Sequence, residues 1–365
     1  MFEEGPQIGG SLTRRASAES KHVSRDRSRE PERSPDQTGR GWMPPAFPPT
    51  GGHVSGAESS SSGGMKRFRN ILLFAGLDDG PVPRRVLERA LSLARTNKAK
   101  LTLIDVVRES ELFREILPPG RLARVRRDRR RSLTRLAAVA QEQGLETETE
   151  LAVGKPFLEI IRRVDRSEHD LVMTDGGHAI RAGGTIDSTT IHLMRKCPCV
   201  IWVVRPHAVS QYTRVLAAID PDATDPGKDS LNRKIMELAI SIAKIERSEV
   251  HVVHVWELRG IPAGSSGEIW KRSEAASRSG IKRRLFGFLA DCDLGPDPRV
   301  HFLAGTPAIA ISELASRERI DLLVMGTVCR TGVRGFFIGN TAEGVLERVD
   351  CSLLTVKPDG FFSPI

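Results

Sequence analysis

The chain of 365 residues lacks any apolar run near the ~20 residues that a membrane-spanning helix needs. Its longest apolar stretches, Ile71–Leu77 and Val200–Val204, are far shorter, so a spanning helix is excluded. The opening Met1-Phe2-Glu3-Glu4-Gly5-Pro6 is acidic and has no apolar core, which does not read as a secretory signal. Cytoplasm is the expected compartment. Cysteine is scarce and odd in number: Cys197, Cys199, Cys292, Cys329 and Cys351 form no CxxC pair, which argues against a disulfide framework and for buried structural thiols. Cys197 and Cys199, separated by Pro198 in an extended stretch, are expected to point to opposite faces. HExxH, GxSxG, a complete Walker A loop and kinase signatures are all missing. His251 and His254 lie three apart in an expected strand and face opposite sides, so they do not share a metal. No catalytic constellation and no metal site emerge, and the chain does not read as an enzyme.

What the chain does have is positive charge, with a formal net charge of +9. Much of it sits in Arg121–Arg135, where Leu122, Val125, Leu133, Leu136 and Ala140 recur at roughly helical spacing. This predicts an amphipathic helix with an arginine-rich outer face. The plainer reading of that face is solvated arginines whose stems cover the core edge. The alternative is a nucleic-acid-associated protein using this face, against which stands the absence of interleaved aromatic residues for base stacking.

The first 64 residues are dominated by Ser, Pro, Gly and Arg, too poor in apolar surface to offset ordering entropy, and are expected to be a disordered tail. The change at Met65 is abrupt, and translation starting there is one reading of it. Beyond it, short apolar runs alternate with helical periods, the signature of βαβ units. Strands are expected near 70–76, 100–107, 146–153, 170–174 and 199–204, with helices near 83–96, 121–143, 156–166 and 187–196. The order then repeats, with strands near 213–219, 249–256, 299–304, 321–325 and 351–357 and helices near 229–245, 268–290, 307–318 and 340–349.

The repeat is visible residue by residue. Gly154-Lys155-Pro156 matches Gly305-Thr306-Pro307, Asp170-Leu171-Val172 matches Asp321-Leu322-Leu323, and Cys199–Pro206 matches Cys351–Pro358. The apolar strands carry few alternating polar residues, which implies parallel sheets covered on both faces. The expected fold class is α/β, two tandem doubly wound, Rossmann-like domains, at 65–207 and 211–358, with a C-terminal tail at 359–365. Each last strand exposes an apolar edge, so the halves are expected to pair within the chain through Val200–Val204 and Ser352–Val356.

In open parallel sheets ligands bind beyond the carboxyl ends of the strands. In the second half the fourth strand runs into Gly326, a loop carrying Arg330, Arg334 and Gly335, and then Gly339-Asn340-Thr341-Ala342-Glu343 opening a helix. Glycines admit an anion close to the backbone, and a helix N-terminus offers free amides and the positive end of its dipole. Asn340 with Glu343 also reads as a helix cap in its own right.

These residues resemble the universal stress protein family, whose nucleotide-binding members carry Gly-x2-Gly-x9-Gly-Ser/Thr after the fourth strand. Gly326 and Gly339 stand at that spacing, Asp220 closes the first strand where the family places an Asp, and the resemblance covers roughly 65–358 as two copies. Asn232, within Ser230–Lys234, adds to a likeness to the tandem E-type members. The resemblance implies an adenine nucleotide alpha hydrolase-like fold and a stress-response role as ligand-binding regulator or scaffold, with unidentified protein partners. It also implies a weak site for ATP or another adenine nucleotide, built from Asp220, Gly326, Gly339, Asn340 and Thr341. Slow hydrolysis of that nucleotide is the alternative. Cys329 stands at the family's second glycine and Asn340 at its Ser/Thr, which accounts for the expected weakness. In the first half Gly76 replaces the Asp and Asp187 falls where Gly339 falls, so no nucleotide is expected there.

Overall fold

Ile71, Leu72 and Leu73 are adjacent in sequence and all fully buried, so the strand that holds them, β1 (Asn70–Phe74), is covered on both faces. Its alternation divides the core. Ile71 and Leu73 join one hydrophobic layer, while Leu72 and Phe74 join the layer behind the sheet. The same division recurs in the second half, at Leu322 and Val324 against Leu323 and Met325.

The computed structural model describes residues 68–108, 121–177, 186–221, 226–256, 267–294, 298–327, 340–363 and 365. The tail expected over residues 1–64 lies outside them, as do Cys329, Arg330, Arg334 and Gly339. The first half runs β1, α1 (Arg84–Asn97), β2 (Lys100–Arg108), α2 (Arg121–Glu142), β3 (Thr147–Gly154), α3 (Pro156–Ser167), β4 (Leu171–Thr174), α4 (Ser188–Lys196) and β5 (Val200–Val203). The second half repeats it as β6 (Arg214–Ala218), α5 (Pro226–Glu246), β7 (Glu249–Trp256), α6 (Gly267–Ala290), β8 (Arg299–Ala304), α7 (Pro307–Arg317), β9 (Leu322–Gly326), α8 (Asn340–Leu346) and β10 (Ser352–Val356).

One ten-stranded sheet results, in the order β3-β2-β1-β4-β5-β10-β9-β6-β7-β8. Every pairing is parallel except that at the centre, where Val203, Trp202 and Ile201 of β5 face Leu353, Leu354 and Thr355 of β10 antiparallel. The halves therefore face opposite ways about a pseudo-twofold, and the carboxyl end of one sheet half is level with the amino end of the other. Helices α1, α2, α5 and α6 cover one face, and α3, α4, α7 and α8 the other.

The junction is held by Arg89 of α1, which is 8% exposed. Its guanidinium donates to Glu246 at 2.7 Å and to the Val209 and Ser210 carbonyls at 3.3 and 3.1 Å, and it lies 3.6 Å over the ring of Tyr212. One side chain thus ties α1, the connecting segment and α5 together.

The expected opposite orientation of Cys197 and Cys199 is corrected: their sulfurs are 3.4 Å apart. Residues i and i+2 of an extended chain share a side. Both thiols are free, and among the described residues no group of three or more His, Cys, Asp or Glu is placed to hold a metal. Nor is any described helix long and apolar enough to cross a membrane.

Candidate functional site

Strand β6 ends at Ala218, which is level with Met325 of β9, so Asp220 and the Gly326–Thr327 pair leave the sheet side by side at its carboxyl end. The amide of Asp220 donates to the side-chain oxygen of Asn232 at 3.1 Å, which fixes the turn out of the strand. Asn232 belongs to α5 and is 4% exposed. Among the described residues its side-chain amide nitrogen has no hydrogen-bond partner. Thr327 donates its backbone amide to Val356 at 3.3 Å and is buried, and its hydroxyl likewise finds no partner among the described residues. Native interiors rarely leave such groups unpaired, since each costs about 1–3 kcal/mol.

Asp220 itself is half exposed on the rim. Its carboxylate lies 3.8 Å from the Lys228 ammonium and 3.9 Å from Nδ1 of His254. The same Nδ1 is 3.0 Å from the Ile219 carbonyl, which can only accept, so the proton sits on Nδ1. Lys228 is not singled out by the sequence, and His254 enters there only as a metal ligand that is set aside. The signal for His254 is register: Ala218 pairs with Val253, which brings His254 level with the end of β6.

Gly326 has a packing reason to be glycine. A Cβ there would meet Leu231 of α5 at 2.8 Å, closer than real contacts allow. The glycine lets the start of α5 lie on β9 and so carries Asn232 to Asp220. Asn340 and Thr341 begin α8. Gly339 lies outside the described residues, so the structure brings together Asp220, Gly326, Asn232, His254 and Thr327.

The first half fills the equivalent place with its own charges. By strand register Gly76 corresponds to Asp220 and Asp105 to His254. The turns closing α1 and α5 place Pro83 where Asn232 stands. Arg129 of α2 turns inward, contrary to the outer face expected for its helix. It pairs with Asp78 and, at 3.3 Å, with fully buried Asp105, which also accepts from the Leu77 amide at 2.9 Å. Arg108 adds a second contact to Asp78 at 3.0 Å.

Within electrostatic reach of Arg108, Asp187 caps α4, its carboxylate accepting from the Thr190 amide at 2.7 Å. A Cβ on Gly177 would overlap the same carboxylate, so Asp187 lies directly against the turn after β4. Burial raises the Asp187 carboxyl above its ordinary pKa, and the Thr190 amide opposes the shift.

The sequence model of the Universal stress protein family matches residues 68–205 and 211–357. Universal stress protein E of Salmonella typhi is 28% identical over 313 residues, 82% of this chain and 98% of that protein. Universal stress protein E of Escherichia coli K12 is 29% identical over 223 residues, 58% of this chain and 68% of that protein. Among solved structures, a functionally unknown protein from Pseudomonas aeruginosa PAO1 shares the fold with a TM-score of 0.63 at 23% identity, covering 82% of this chain and 96% of its own.

Proposed function

The chain belongs to the universal stress protein family, and from that membership we propose that it is a cytoplasmic ligand-binding regulator or scaffold of a stress response. Its second half takes an adenine nucleotide weakly, and its first half takes none. The reading rests on one contrast between the two halves. In the second half two buried polar groups, the Asn232 amide and the Thr327 hydroxyl, have no partner among the described residues beside a rim carboxylate, Asp220. In the first half the same region is closed by Arg129, Asp78, Asp105 and Asp187. Asp220 would orient the nucleoside end, while the amides of Gly326, Gly339, Asn340 and Thr341 would face phosphate. The residues present fit such a ligand, since unpaired buried donors and acceptors gain most from one.

Calorimetry of the full chain with ATP tests this. Wild type should give weak heats, Gly339→Asp none, and the double change Cys329→Gly with Asn340→Ser stronger ones, with a matching rise in melting temperature. Equal heats from wild type and Gly339→Asp would remove the phosphate site and leave a scaffold.

A further inference from the structure

We propose that the outward face of α2 binds the phosphate backbone of duplex nucleic acid without sequence preference. This surface lies in the first half, apart from the nucleotide site proposed in the second. Arg121–Arg135 holds eight arginines against one Asp, which amounts to seven of the nine net positive charges of the whole chain. The charge is thus concentrated on four turns of helix, and the remainder of the molecule is close to neutral.

The structure sorts these arginines. Arg129 points inward to Asp78 and Asp105. Asp128 sits 3.9 Å from Arg124 and 3.8 Å from Arg131, at two exposed, loose contacts. Arg127, Arg130 and Arg135 are exposed and have no acidic partner among the described residues. Like charges also recur one turn apart, at Arg126 and Arg130, Arg127 and Arg131, and Arg131 and Arg135. Such pairs oppose helix formation until an anion neutralises them. They are nevertheless held in a continuous helix of 22 residues because Leu133, Ala137 and Ala140 anchor its other side in the core.

The same packing decides among polyanions. The apolar face of α2 is consumed by the sheet, so it has nothing to insert into a bilayer. On the outer side Val139 is the one large exposed apolar residue of this helix among those described, and it lies a turn beyond the last arginine. A protein partner would lack the apolar anchor around which interfaces are built. The face also has no aromatic residue to stack on single-stranded bases. What remains is a rigid, polar, guanidinium-lined ridge, the character of contacts to duplex phosphates, which guanidinium forks bind in two-pronged fashion.

The test uses the full chain and two unrelated labelled 20-base-pair duplexes, read by fluorescence anisotropy across a salt series. If Arg127, Arg130 and Arg135 each meet a phosphate, affinity should fall about 40-fold between 50 and 200 mM salt, equally for both duplexes. The triple change to Gln should remove most of that dependence at unchanged melting temperature and circular dichroism, and the triple change to Lys should retain it. Unchanged affinity and slope in the Gln variant would overturn the proposal. Stronger binding to phosphatidylglycerol vesicles or to polyglutamate than to duplex at equal salt would overturn it as well.

Discussion

Arg205 and Lys357 hold equivalent places after the last strand of each half, and each donates across the pseudo-twofold to backbone carbonyls of the other half. Arg205 reaches the Val349 carbonyl and, at 3.4 Å, that of Cys351, in the chain leaving α8. Lys357 reaches the carbonyls of Met194 and, at 3.3 Å, Arg195, in the last turn of α4. Both cations are buried. Lys357 meets carbonyls that the end of α4 leaves unpaired, where the dipole also favours positive charge, while Arg205 meets carbonyls of the segment between α8 and β10. The halves are therefore joined by cations that cross in both directions as well as by the β5–β10 ladder.

The two cations should not contribute equally. Burial lowers Lys357 to about 8, so its charged form is held at a cost in desolvation. Arg205 stays charged at any working pH and spreads its charge over a fork. Arg205→Met should cost about 1–3 kcal/mol through orphaned carbonyls, and Lys357→Met less, because it also relieves the desolvated ammonium. Urea denaturation at pH 7 compares them. An equal or larger loss at Lys357 would contradict the argument.

Gly326 makes a steric prediction. Gly326→Ala places a methyl 2.8 Å from Leu231 and should cost about 1–3 kcal/mol by overpacking. The second change Leu231→Ala should then cost less in the Gly326→Ala background than alone. Additive losses in this double-mutant cycle would show that the two sites do not touch.

The ladder of strands is legible from sequence because most strands are nearly unbroken apolar runs between helical periods. β2 and β7, two of the longest, match the expected bounds to within a residue at each end. Three features were not legible. Arg129 stands in a row of arginines that composition assigns to solvent, and its inward turn depends on Asp78 and Asp105, far away in sequence. His254 becomes a neighbour of Asp220 only through register with β6. Gly326 looks like a phosphate glycine, while its tightest constraint is the approach of Leu231. In each case the missing information is a contact between elements, which spacing along one element does not carry.

The charged plug of the first half should behave as a unit. Arg129→Met leaves the fully buried Asp105 carboxylate without its guanidinium and should cost about 3–5 kcal/mol. Adding Asp105→Leu should recover much of the loss, since an apolar pair of similar volume carries no desolvation penalty. Thermal unfolding of both variants reads this, and a double variant weaker than Arg129→Met would refute the pairing.

Acid should loosen the second half through the His251–His301 pair. The rings lie side by side, Nδ1 of His251 being 3.2 Å from Nε2 of His301, with Glu249, Glu318, Arg299 and Arg317 around them. Burial lowers His301 to about 4, and the neighbouring His251 adds to the shift. Burial lowers His251 too, against an opposing hydrogen bond that it donates to the Glu249 carboxylate. A depressed histidine binds its proton more tightly in the unfolded chain, so stability is complete above pH ~6.5 and is lost as pH falls toward 4. Urea midpoints between pH 7 and pH 4.5 should fall less steeply for His301→Gln than for wild type. Parallel curves would mean that other groups carry the acid response.

The central ladder predicts what an isolated half will do. In the intact chain β10 offers Leu353, Leu354 and Thr355 to β5, and all three are buried. Cut away, residues 210–365 would expose that apolar edge with its unpaired amides and carbonyls, an arrangement that recruits another strand. The pseudo-twofold makes the replacement simple, because a second copy of β10 can run antiparallel where β5 ran. The fragment should therefore sediment as a dimer whose melting temperature rises with concentration. A change of Leu354 to Lys, placing a charge on that edge, should shift it toward an unstable monomer. A fragment that stays monomeric and fully stable at high concentration would show that β10 does not need a partner and that the halves are joined mainly by Arg89, Arg205 and Lys357.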